Sequence, residues 1–271
     1  MKSTNPLLRL SIRIAAASMI ALAALVAAPV GCAGEESGTT GRRIALEVRI
    51  AASPESKEFT NAKGWKVTLS KAVISTGALY FYDGEPLFAS RTGGWARGWV
   101  RTAFAHPGHY APGTARGEIL EPSSADLLVG GTLGAGAGVS GPVRSATFAF
   151  GVPPRGPLAG ELGENVAIVE GTAVKDAETR VFRAELRPDD VRNGHGTFEV
   201  EGCPFTAADM QSDGVVTVTV KLETWLDQVA FDDVPESTDG RPVVVPDGLA
   251  RNQLVRGTKV AGAYVFAYAP R

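Results

Sequence analysis

RRIALEVRIA (residues 42–51) is the stretch that decides the fold. Ile44, Leu46, Val48 and Ile50 fall on one face and Ala45, Glu47 and Arg49 on the other, the two-residue period of a half-buried strand. Working outward, residues 64–84 (GWKVTLSKAVISTGALYFYDG) set Trp65, Val67 and Leu69 against Lys66, Thr68 and Ser70, and end in aromatic strand formers. Asp83-Gly84 is a turn signal, with Glu85 to Phe88 as the start of a return strand. Strand-length segments recur at 145–152, 165–174, 179–186, 196–202, 215–222 and 259–268, mostly bounded by Gly, Pro, Asp or Asn. Helical candidates are short: 207–211, 225–229 and 249–255. Short strands between Gly- and Pro-rich turns point to an all-β architecture, expected as an antiparallel, immunoglobulin-like β-sandwich with short helical turns, one domain over residues 43–271.

The residues before this domain read as an export signal. Lys2, Arg9 and Arg13 precede any acidic residue, residues 14–30 are apolar apart from Ser18, and small residues close the run at Gly31, Cys32 and Ala33. A membrane-spanning helix needs about 20 strongly apolar residues, and this Ala-rich run is shorter and weaker. The stretch Ala28-Pro29-Val30-Gly31-Cys32 resembles the lipobox of bacterial lipoproteins, although Pro29 stands where that family usually has an aliphatic residue. Beyond this signal, the chain resembles envelope lipoproteins only in general character. The resemblance implies a signal peptide over 1–31, diacylglycerol on Cys32, and an exported protein held to a membrane of the cell envelope, periplasmic or at the surface. Residues 32–42, with the polar run GEESGTTG, then form a flexible tether.

Charge and cysteine usage narrow the partners. The chain carries 27 basic and 29 acidic residues, and without Lys2, Arg9 and Arg13 the balance is 24 against 29, a net of −5. A mildly acidic body without a basic run offers no footprint for nucleic acid. With Cys32 lipidated, Cys203 is left alone, so the fold has no disulfide within the chain and rests on burial. Cys203, just before a proline, reads as a small buried apolar residue.

Chemistry-bearing groups are sparse. His106-Pro107-Gly108-His109 has the Pro-Gly centre of a type II turn, which brings its first and fourth Cα atoms within about 7 Å. Two imidazoles can then converge on a divalent cation, for which zinc and copper are the natural choices. His195, in the Asn193–Gly196 turn, is the third nitrogen candidate, and Asp83, Glu85 and Glu118 are oxygen candidates. Trp95 and Trp99 lie four residues apart, on one side of a strand, as an alternative aromatic surface for a glycan or protein; core packing is the plainer role.

Residues 130–141 (GGTLGAGAGVSG) lack bulky side chains and read as a mobile loop. They contain a G-x-G-x-x-G match that fails for want of a following helix, because Pro142 and the strand-like SATFAF come next. Val191 and Val200 stand where an EF-hand starting at Asp189 needs oxygen ligands, and Asp232-Asp233 reads as a solvated turn. There is no G-x-S-x-G and no H-E-x-x-H. The reading is a non-enzymatic envelope binding protein that takes a small ligand, metal or envelope partner.

Overall fold

The computed structural model describes residues 41–86 and 112–271. Its strands are β1 (Arg43–Ala52), β2 (Glu58–Thr60), β3 (Lys66–Thr76), β4 (Leu79–Tyr82), β5 (Ala115–Ile119), β6 (Ser123–Asp126) and β7 (Gly131–Val139). They continue as β8 (Gly141–Ala149), β9 (Ala167–Lys175), β10 (Glu178–Leu186), β11 (Glu199–Met210), β12 (Gly214–Val220), β13 (Val243–Val244) and β14 (Tyr264–Pro270). Among the described residues four short α-helices interrupt them: α1 (Ala159–Leu162), α2 (Pro188–Val191), α3 (Leu222–Leu226) and α4 (Leu249–Thr258).

The protein is mostly β, but it is not an immunoglobulin-like sandwich. Eight strands close into a barrel in the order β1-β12-β14-β11-β8-β4-β5-β7, with β7 returning to pair with β1. Pairing is not purely antiparallel: β1 with β12 and β11 with β14 run parallel. A second sheet, β13-β10-β9-β3-β2 with β6 also on β3, lies beside the barrel.

The strand that turns a sandwich into a barrel is the glycine-rich stretch expected to be a loop. Gly131 to Val139 pairs with β1 over most of its length and with β5 at Gly117–Gly138 and Glu118–Ala137. Glycine is used here for close approach of backbones. A Cβ on Gly136 would lie 2.7 Å from the Glu118 carbonyl oxygen, and one on Gly138 would lie 2.8 Å from that of Arg116.

Two smaller expectations also fail. Residues 207–210 continue β11 instead of forming a helix, because pairing with β8 outweighs their local preference. The strand returning along β4 is Ala115–Ile119, not one starting at Glu85.

The alternating residues do what their period requires. Ile44, Leu46, Val48 and Ile50 point into the barrel, while Arg43 and Arg49 stand outside. Aromatic rings fill the interior: Phe81 lies 5.7 Å from Phe205 and 5.8 Å from Phe266, and Tyr264 stacks on Phe148 at 4.2 Å. An apolar interior with charge outside is the reverse of barrels that span membranes.

The core runs on without a break into the second sheet, whose inner face carries Val67, Val169, Ala173, Phe182 and Ala184. Phe182 meets Phe231 at 4.8 Å, and Trp65 meets Phe231 edge-on at 5.9 Å. Trp65 and Trp225 are buried, as is Cys203, in keeping with its reading as a small buried apolar residue.

Candidate functional site

The barrel has two unlike ends. Arg43 pairs with Val139, Gly214 with Pro270 and Met210 with Gly141, so the chain enters β1 at the end where β7 and β14 finish. At the other end, Ala52 lies beside Val220, and β12 passes directly into α3. The β4–β5 hairpin opens at the first end, since Tyr82 pairs with Ala115 and with Ser145.

Residues 87–111, between Pro86 and Pro112 of this hairpin, lie outside the described residues, and with them His106, His109, Trp95 and Trp99, as does Cys32. The stems of this segment are tied together. The Asp83 amide donates to the Thr114 carbonyl at 3.1 Å and the Gly84 amide to the Pro112 carbonyl at 2.9 Å. The Asp83 carboxylate accepts from the Thr114 amide at 2.7 Å and from Arg116 Nε and Nη2 at 3.1 and 2.9 Å. Burial works to raise the Asp83 pKa, but the Thr114 amide and the Arg116 guanidinium outweigh it and hold the carboxyl below its usual value.

This clamp makes stability depend on pH in one direction. A carboxyl depressed in the folded state contributes fully above its unfolded pKa of about 3.9 and loses that contribution as pH falls through the folded value. Asp83→Asn is therefore expected to cost about 2 kcal/mol at pH 7. Urea unfolding at a series of pH values should show the gap between the two proteins closing in acid.

Of the three oxygen candidates on this hairpin, two are engaged: Asp83 by Arg116, and Glu85 by Arg144 at 2.5 Å. Glu118, opposite Tyr80 on the stem, has no ion-pair partner among the described residues. His195 is not part of this group. Asn193 Oδ1 accepts from the amides of His195 (2.9 Å) and Thr197 (3.1 Å), forming an exposed turn before β11. That turn belongs to the α3 end. Along β8, Ser145 faces Tyr82 and Ala149 faces Glu199, a separation of about 13 Å at a strand's rise per residue. Among the described residues, no three His, Cys, Asp or Glu side chains form a metal-binding cluster.

Asp190 and Asp232, in the two acidic turns, have structural partners. Asp190 pairs with Arg251 of α4 and accepts from the Arg187 amide at 2.7 Å. Asp232 accepts from Trp65 Nε1 at 3.3 Å, under a ring that Lys175 and Arg180 both approach within 6 Å of its centroid. Burial pushes the Cys203 thiol up to about 12, so no thiolate is available there at neutral pH.

The α3 end carries a cleft that the sequence did not announce. Its volume is about 490 Å³, and it lies between Phe59 of β2, the α3 segment with Glu223 and Asp227, and the α4 segment with Gln253, Arg256 and Val260. The walls are fixed from behind. Asn61 Nδ2 donates to the carbonyls of Leu226 (3.2 Å) and Val229 (2.9 Å), tying the β2–β3 turn to α3. Gly257 lets α4 rest on α3, because a Cβ there would lie 2.7 Å from Trp225 Cα. Glu223 Oε2 accepts from the hydroxyls of Ser53 (2.9 Å) and Ser56 (2.6 Å). These residues are spread across 200 positions of chain, and the only local signal was the pair of short helical segments among strands. No protein family, curated protein or solved structure matches this chain.

Proposed function

We propose that this chain is a non-enzymatic binding protein of the cell envelope, tethered through a lipid on Cys32, that takes a divalent metal at the His106–His109 turn. The observation that carries this reading is the clamp at Asp83. It fixes both stems of the segment bearing the two histidines to a barrel whose interior is packed, and binding residues are disproportionately found on loops mounted on a rigid scaffold. Zinc and copper suit a pair of imidazoles. Glu118 is the oxygen ligand this hairpin has left to offer, since Asp83 and Glu85 are spent on arginines. The chain also enters β1 at this end of the barrel, so a tether running back to Cys32 starts beside the same stems.

Cell fractionation followed by metal analysis tests both halves. The intact protein is expected in the membrane fraction with about one zinc or copper per chain, and Cys32→Ser is expected to release it from that fraction. His106→Ala/His109→Ala should lose the metal, whereas His195→Ala, at the other end of the barrel, should keep it. Equal metal content in the double variant and the parent would end the proposal.

A further inference from the structure

We propose that the cleft between β2, α3 and α4 is a second binding site, for a small zwitterion of the amino-acid or short-peptide class with an apolar side chain. The charges in the cleft carry this inference. The side chain of Arg256, exposed near the end of α4, makes no ion pair or hydrogen bond among the described residues. Facing the same space, the Asp227 carboxylate accepts, among the described residues, only from neutral donors, the Ala62 amide at 3.2 Å and Gln228 Nε2 at 2.7 Å. Among the described residues the Glu223 carboxylate likewise bonds only to the serine hydroxyls behind it.

Two carboxylates without a cation and a guanidinium without an anion thus line one cleft and do not reach each other within ion-pair distance. A ligand carrying both an ammonium and a carboxylate satisfies both sides at once, the guanidinium fork being suited to a carboxylate. Phe59 and Val260 supply the apolar part of the wall, and Val260 is 43 % exposed. The volume is within the range of small-molecule sites, and the supports described above mean that it is already formed. The site lies at the opposite end of the barrel from the β4–β5 stems and is independent of the metal reading.

Isothermal titration calorimetry with leucine and leucyl-leucine, each in free, N-acetylated and C-amidated form, tests it on the mature chain. Saturable binding of a free ligand is expected, with each block weakening it at least tenfold. Arg256→Gln should remove the preference for a free carboxylate and Asp227→Asn the preference for a free ammonium. His106→Ala/His109→Ala should bind as the parent does, which separates this site from the metal. No saturable binding, or blocked ligands binding as well as free ones, would overturn the proposal. The blocked ligands read out on the parent protein, so this holds even if a variant misfolds.

Discussion

Gly138→Val is expected to lower the free energy of unfolding by about 3 kcal/mol or more, and Gly136→Val to do the same. In both cases the new Cβ meets a backbone carbonyl oxygen of β5 at under 3 Å, and a carbonyl held in a ladder cannot turn aside as a flexible side chain can. On its inner side Gly138 also lies against Leu46 Cδ1 and Ile44 Cγ1, so the branch of a valine has no free direction. The contact between β5 and β7 spans only two residue pairs, and around the barrel only that between β11 and β14, with one, is shorter. Separating these strands leaves β1 as the partner of β7 and exposes an edge. Urea unfolding measures the loss, and hydrogen exchange at β5 and β7 amides should report the opened seam. Gly194→Ala is the control, because nothing lies within 4 Å of its Cβ and its backbone is not left-handed. A seam variant as stable as that control would mean that glycine is not what closes the barrel.

The same stretch explains why most of the strands are legible in the sequence while the closed architecture is not. Where a strand alternates, as in residues 44–50, 65–69 and 215–220, side chains record which face is buried, and the structure agrees. A strand built from Gly and Ala has no such record. Its reason for existing is the backbone of β5, more than a dozen residues earlier, and sequence periodicity cannot express that dependence. Without β7, β1 becomes an edge and an open sandwich is the natural inference; with it, the sheet closes. Residues 207–210 fail for a related reason, since Ala207, Ala208 and Met210 favour a helix locally and are held extended by β8.

The candidate sites divide along the same line. The histidine pair is visible because it is local, four residues with Pro-Gly at the centre. His195 looked like its partner only because histidines are few. The strand register sets it at the far end of the barrel from the hairpin stems. The α3–α4 cleft is the reverse case. Nothing about Asp227 or Arg256 is unusual in sequence, and only the approach of α4 to α3 at Gly257 brings them to one space.

Asp190→Ala is expected to cost about 3–5 kcal/mol, because it leaves a buried guanidinium without its main partner. Arg251 lies within α4 and is only 6 % exposed, although arginine is seldom so deeply placed. Its Nη2 is bound by Asp190 of α2 and its Nε lies 3.3 Å from Asp247, a carboxylate that is itself largely in solvent and therefore a weak replacement. Asp190 has a further duty, accepting from the Arg187 amide at the start of α2, so its loss also removes a helix cap, worth about 1 kcal/mol. The two contributions can be separated. Arg251→Met keeps the length of the side chain and removes the charge, so in that background Asp190→Ala should cost only the cap. The double variant should accordingly be less destabilised than the sum of the two single variants, by a coupling of about 2 kcal/mol or more, within the range for residues in one network. A full thermodynamic cycle by urea unfolding measures this directly. If the two substitutions add without coupling, the ion pair is not what holds α4 against α2, and the apolar contacts of Ala250 and Leu254 must do so.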